Sequence, residues 1–124
     1  SKAIAWEYNQ DTPYVPSPLL YGGNLYFLRS NTNILTCLDA RTGKPYYSRQ
    51  RVEGIRGVYA SPSGANGRVY LAGQNGVTVV FKHGPKFEIL AQNQLNDNFD
   101  ASPVIVGREL FLRGHSNLYC IAEP

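Results

Sequence analysis

Ser102-Pro103-Val104-Ile105-Val106-Gly107-Arg108-Glu109-Leu110-Phe111-Leu112 is the stretch from which the fold is read. Three β-branched residues, a Gly-containing pair and a second apolar run form a hairpin pattern. The Gly supplies the positive φ that a two-residue turn needs. The same pattern occurs twice upstream, from Ser17-Pro18 and from Ser61-Pro62, at spacings of 44 and 41 residues. Gly22-Gly23 and Asn66-Gly67 stand at the turn. Leu25-Tyr26-Phe27 and Val69-Tyr70-Leu71 match Leu110-Phe111-Leu112. The last two units run on in step, so that 77–79 matches 118–120, and the first unit falls into line after two extra residues near Asn33-Ile34. On this alignment Cys37, Val79 and Cys120 share one repeat position, and both thiols read as core residues.

Each unit holds up to four strands. The first are 19–21, 63–65 and 104–106. The second are 24–28, 68–72 and 109–113, and the third are 35–39, 77–82 and 117–122. Fourth strands are expected at 45–51 and 87–93. The N-terminal run 3–8, Ala-Ile-Ala-Trp-Glu-Tyr, also precedes a Ser-Pro and reads as a fourth strand whose own unit is elsewhere. Four-stranded units recurring every ~40–45 residues are the pattern of β-propeller blades. The expected fold is therefore all-β: four-stranded antiparallel blades, about three in this chain, forming a partial propeller. Residues 1–124 are one partial domain. Within it, 1–10 is the last strand of a preceding or partner blade, and 17–53, 61–94 and 102–124 are the three repeats, the third lacking its fourth strand.

Composition agrees. The 124 residues are 43% hydrophobic, with 12 Gly and 8 Pro spread along the chain, which leaves few stretches long enough for a helix. Nine Tyr and five Phe favour strands. No apolar run approaches the ~18 residues of a membrane span. The net charge of +3 is scattered, and its densest group, Arg49, Arg51 and Arg56, is interrupted by Glu53. A nucleic-acid partner, which calls for a basic stripe, is not expected. The chain begins Ser-Lys-Ala and contains no Met, which suggests a processed product or an excised piece.

Leu38-Asp39-Ala40-Arg41-Thr42-Gly43-Lys44-Pro45-Tyr46-Tyr47 resembles the Leu-Asp-Ala-x-Thr-Gly-Lys-x-x-Trp repeat of the PQQ-like, quinoprotein-type β-propellers, and Ala101-Ser102-Pro103-Val104-Ile105-Val106-Gly107 resembles their first strand. Tyr47 stands where Trp is usual, and Trp6 fills that place in the N-terminal strand. The second unit departs from the pattern, with Phe81-Lys82-His83-Gly84 in place of Leu-Asp-Ala. The resemblance implies that Trp6 and Tyr47 pack between blades. It also implies a periplasmic or secreted location. Its non-catalytic members include the propeller lipoprotein of the bacterial outer-membrane assembly machinery.

Chemistry-bearing groups are sparse. His83 and His115 fall in turns and read as solvated. Asn96-Asp97-Asn98-Phe99-Asp100 lacks the Gly and distal Glu of a calcium loop. The acidic base and adjacent cysteine pair of catalytic quinoproteins have no counterpart, so no cofactor, no metal and no catalytic residue is expected. The loops entering the first strands, 10–16, 53–59 and 95–100, would share one face of a propeller. Their Tyr14, Arg56, Tyr59, Asp97 and Asp100 are the candidate binding residues. The expected function is a non-catalytic scaffold for protein interaction or ligand binding. The alternatives are a fragment of a quinoprotein-like oxidoreductase with its catalytic residues elsewhere, and a lectin-like propeller. Three blades are too few to close a ring of ~4–8. The expected partners are a protein, the remaining blades, or a second copy closing a six-bladed ring.

Overall fold

Asn66 and Gly67 take φ of 55° and 74°, the left-handed pair that reverses a strand in two residues. Gly22-Gly23 does the same in the first unit, with φ of 56° and 80°. The computed structural model describes residues 6–10, 17–30, 32–58, 60–99, 102–114 and 116–122. All its regular elements are strands. The first sheet contains β1 (Leu19–Tyr21), β2 (Asn24–Leu28), β3 (Ile34–Asp39) and β4 (Pro45–Arg51). The second contains β5 (Ser63–Ala65), β6 (Arg68–Ala72), β7 (Val77–Lys82) and β8 (Ile89–Gln94). The third contains β9 (Val104–Val106), β10 (Glu109–Arg113) and β11 (Leu118–Ala122). Each sheet is an antiparallel meander in chain order.

The pairing register corrects one detail of the repeat. Tyr26 pairs with Cys37 and Phe111 with Cys120, but their counterpart Tyr70 pairs with Val80. Val80, not Val79, therefore shares the position of the two cysteines. Counted between the last paired residues, Ala72 to Thr78 encloses five residues and Arg113 to Leu118 four. A one-residue slip moves a side chain to the other face of the sheet. The expected fourth strand at 87–93 runs instead over Ile89–Gln94. Residues 1–5 of the expected N-terminal strand lie outside the described residues, and residues 6–9 belong to no strand.

The middle sheet is apolar on both faces, and β7 is buried along all but its last residue. Val77, Val79 and Phe81 meet Tyr26, Leu28, Leu35 and Cys37 of the first sheet. Val80, with Tyr70 and Ala72 of β6, meets Leu110 and Leu112 of the third. A strand buried on both faces needs apolar residues at consecutive positions, and Val79-Val80-Phe81 supplies them. The outermost strands mix polar and charged residues with exposed apolar ones, among them Tyr46, Ile89 and Leu90. Every residue of β8 is exposed, and β4 carries Pro45, Arg49 and Arg51. Such residues discourage edge-to-edge association.

The three Ser-Pro sites form a ladder across the sheets. The Ser17 backbone N–H donates to Ser61 Oγ at 2.8 Å, and the Ser61 N–H donates to Ser102 Oγ at 3.0 Å. Ser63 Oγ donates to the Pro103 carbonyl at 2.6 Å, and Asn66 Nδ2 to the Gly107 carbonyl at 2.9 Å. At the other end of the array, Trp6 Nε1 donates to the Ala40 carbonyl at 3.0 Å. Its indole lies over Gly43, where a Cβ would fall 2.5 Å from Trp6 Cδ2. Tyr8 meets Phe27 edge-on, with ring centroids 5.9 Å apart.

Leu71 is fully buried in the first seam. Leu71→Ala is expected to cost about 2–5 kcal/mol. Ser61→Ala, which strands one backbone donor at a partly wet site, is expected to cost about 0.5–1.5 kcal/mol. Urea unfolding of the two variants checks both values. Equal costs would mean that the ladder contributes as much as the seam and would contradict this ranking.

Candidate binding face

Two kinds of connection share one end of the sheets: the links from one sheet to the next, described over 52–58 and 95–99, and the turns between second and third strands. Backbone and amide groups hold them together. The Gln74 N–H donates to the Gly57 carbonyl at 2.8 Å, and the Leu95 N–H to the Gly76 carbonyl at 2.9 Å. Asn75 works in both directions. Its Oδ1 accepts from the Arg56 N–H at 3.3 Å, and its Nδ2 donates to the Gly54 carbonyl at 3.0 Å. Gly76, at φ 84°, permits this closeness, because any Cβ there would collide with the Leu95 and Asp97 carbonyls.

Asp97 does the same at the next junction. Its carboxylate accepts from the Asn98 N–H at 2.8 Å, the Ser116 N–H at 3.2 Å, the Asn117 N–H at 3.1 Å and the Tyr119 hydroxyl at 3.1 Å. Desolvation pushes this carboxyl up. The hydrogen bonds from Asn98, Ser116, Tyr119 and Asn117 outweigh it and hold the group below the usual carboxylate range. Asp97 is thus a turn-fixing residue that ties the link 95–99 to the third sheet.

An open depression of about 880 Å³ on this face is lined by Asn33, Arg51, Arg56, Asn75, Gln92 and Gln94, among others. A neighbouring one of about 800 Å³ has Asn96, Asp97, Asn98 and Ser116 on its walls. Arg56 and Asn98 share a third, of about 400 Å³. Arg56 and Asp97 are therefore brought onto one surface. Tyr14, Tyr59 and Asp100 lie outside the described residues. The amides Asn33, Asn75, Gln92 and Gln94 were not singled out by sequence reasoning. Their only signal is their place in repeat-equivalent turns and strand ends. The surface offers amide donors and acceptors and guanidinium groups in a wet, concave setting. Among the described residues no group of three or more His, Cys, Asp or Glu side chains could hold a metal ion.

A second polar cluster sits inside the first seam. Tyr26 Oη lies 2.7 Å from His83 Nδ1 and accepts from the Gly84 N–H at 3.1 Å. Which of the two donates follows from the imidazole tautomer: a neutral ring with its proton on Nε2 accepts from the hydroxyl at Nδ1. Asn24 Nδ2 lies 3.5 Å from Cys37 Sγ. The imidazole also meets Tyr21 edge-on at 5.0 Å and presses on Gly22, where a Cβ would lie 2.4 Å from Nε2. His83, expected as a solvated turn residue, is a half-buried link between sheets. His115 lies outside the described residues. Desolvation raises Tyr26 to about 12 and Cys37 to about 11. Tyr47 rises further still, by burial and by nearby Cys37. Tyr47 also meets Phe87, just ahead of β8, with ring centroids 6.0 Å apart, whereas Trp6 rests on the Ala40–Gly43 turn of the first sheet. The two thiols differ. Cys37 is buried, whereas Cys120 is exposed and donates to Glu109 Oε2 at 3.1 Å. The expectation of two core cysteines fails for Cys120 because, among the described residues, no sheet covers that face of β10 and β11.

No family model matches the chain, and no curated protein sequence matches it. Among solved structures, BamB from Moraxella catarrhalis matches with a TM-score of 0.65 and 18% identity, covering 85% of this chain and 32% of that one. The likeness shows the fold: antiparallel sheets arrayed as propeller blades. The chain spans about a third of the length of that structure.

Two measurements follow from the geometry. A disulfide reagent at pH 8 is expected to titrate one thiol per native chain, Cys120, and a second only in denaturant. Rapid reaction of both would contradict the burial of Cys37. Asp97→Asn is expected to lower the melting temperature at pH 7. The folded carboxyl is held below its unfolded value, so its contribution is complete above the unfolded range and fades as pH falls through the folded one. The gap between variant and parent should therefore close on acidification. A gap that is constant with pH would exclude an ionic role.

Proposed function

We propose that the chain is a non-catalytic segment of a PQQ-like β-propeller whose connector face binds another protein. One observation carries the reading. Arg56, Asn75 and the amides around them line a concave surface whose backbone is fixed by hydrogen bonds between successive sheets. Fixed backbone lowers the entropy cost of binding, and Arg is enriched at interface hot spots. The amide and guanidinium groups suit an extended polar segment with exposed main-chain carbonyls and carboxylates. The Leu38–Tyr47 motif and the likeness to BamB support the family reading and, with it, a bacterial periplasmic or secreted setting. A second copy, or further blades of a longer propeller, would complete the ring.

A photo-crosslinking residue placed at Asn75 in the producing cell is expected to give a discrete adduct. The same residue at exposed Lys86, in a turn at the opposite end of the sheets, should give none. Arg56→Ala should reduce adduct yield about tenfold, an interface effect of about 1.4 kcal/mol. Equal labelling from both positions would rule out a binding role for this face. Light scattering tests the ring: a species of twice 13.8 kDa supports self-closure, and a 13.8 kDa monomer at all concentrations argues against it.

A further inference from the structure

The link that follows β4 is a strap pinned at every third residue. Val52, Ile55 and Val58 are all buried in the core of the first seam. The residues beside these pegs are left outside, and Arg51, Glu53 and Arg56 are exposed. The second and third pegs each follow a glycine with positive φ, Gly54 at 89° and Gly57 at 59°. A side chain at either would collide, with Gln92 at the first and with Gln74 at the second. The strap is also tied from the second sheet. Asn75 Oδ1 accepts from the Arg56 N–H at 3.3 Å, and the Gly57 carbonyl accepts from the Gln74 N–H at 2.8 Å. Arg56 is therefore an exposed guanidinium on a fixed stretch of backbone.

Arg51, Glu53 and Arg56 all line the depression of about 880 Å³ at the connector end of the first seam. Gln92 and Gln94 of β8 line its second-sheet side. Both sheets that flank it have four strands. Among the described residues no ion pair engages Arg51, Glu53 or Arg56. The depression thus holds two guanidinium groups and one carboxylate, without partners in the described part of the chain.

We propose that the strap selects an extended segment of another protein by mixed charge: an acidic side chain sits on Arg56, and a neighbouring basic side chain meets Glu53. Arg51 supplies the second positive charge. This rests on the reading of the connector face as a protein-binding face, and names the chemistry of its partner. Charge complementarity identifies the segment. A guanidinium takes a carboxylate through two parallel N–H···O bonds, and it loses less entropy when its backbone is already fixed. Glu53 stands between the two arginines in the sequence and repels a continuous run of negative charge. Nucleic acid and other polyanions are therefore disfavoured, and an acidic residue with a basic neighbour is preferred to an acidic tract. The amides of Gln92 and Gln94 provide donors and acceptors for the main chain of the segment.

The probe is a displayed library of random short peptides, selected in parallel on the full chain and on a form carrying Arg51→Glu and Arg56→Glu. Peptides with an acidic residue beside a basic one should be enriched on the parent, and the acidic preference should vanish on the variant. The most enriched peptide, labelled with fluorescein, is then titrated by anisotropy. Arg56→Gln should weaken its binding about tenfold, and so should changing the acidic residue of the peptide to its amide. The two changes together should cost little more than either alone, the sign of a direct pair. Heparin, a polyanion, should bind the parent at least tenfold more weakly than the peptide does, and Glu53→Gln should narrow that gap. Enrichment without acidic residues, or equal binding by Arg56→Gln, would overturn the inference and leave the face a protein-binding one. Equal affinity for heparin and peptide would make the strap a general anion surface and overturn it too. If no peptide is enriched the inference fails, and the adduct from Asn75 then decides the wider reading on its own.

Discussion

The structure depends on a middle sheet that cannot stand alone. Val79, Val80 and Phe81 are consecutive and buried, so β7 directs apolar side chains to both faces. Burial of each such side chain contributes about 1.5–3 kcal/mol, and only while a neighbouring sheet covers it. The first and third sheets are therefore held in place by the second, and stability spreads outward from it as in stacked repeats. The Ser ladder then sets how the sheets meet. The Ser61 and Ser102 hydroxyls each accept the backbone N–H of the Ser one unit earlier, and Ser63 and Asn66 add bonds from the second sheet to the third, so a shift of those sheets would break several bonds together.

The seams are not equivalent, and the difference lies in their outer halves. The first is filled with aromatic rings and closed by a polar network in which the Tyr26 hydroxyl links His83 to Gly84. A buried network of this kind stabilises only when its members are satisfied, which makes the first seam specific to its own two sheets. The second has Val80 and Ala91 where the first has Cys37 and Tyr47, so the same register carries an aliphatic pair.

Much of the fold was legible because turn chemistry recurs. Gly22-Gly23, Asn66-Gly67 and Gly107 mark the same reversal three times, and the short first strands fall where the Ser-Pro sites place them. Strand phase was less legible. One extra residue in the turn before β7 moved Val80, not Val79, to the position of the cysteines, and nothing in an apolar run of this kind marks its own register. Cys120 misled for another reason. Its flanking residues are as apolar as those of Cys37, and local pattern reports what a face is made of, not whether a neighbour covers it. Of the candidate face, Arg56 and Asp97 could be named from sequence because they lie in connecting links. The amides Asn75 and Gln92 were missed because their role comes from sheets meeting, which no short stretch of sequence contains.

Asp97 and His83 show how function and architecture are divided between the two ends of the sheets. At the connector end, carboxylate and amide groups bind backbone donors in the presence of water. Each such bond contributes little alone, but together they hold the links in shape with their side chains facing outward. At the opposite end, the Tyr26–His83 bond is half-buried, where an unmatched group costs more than at the surface. That end therefore favours drier, shape-specific contacts. The two ends of the sheets are thus held by different means: many wet, individually weak bonds at one, and a few drier, closely fitted contacts at the other.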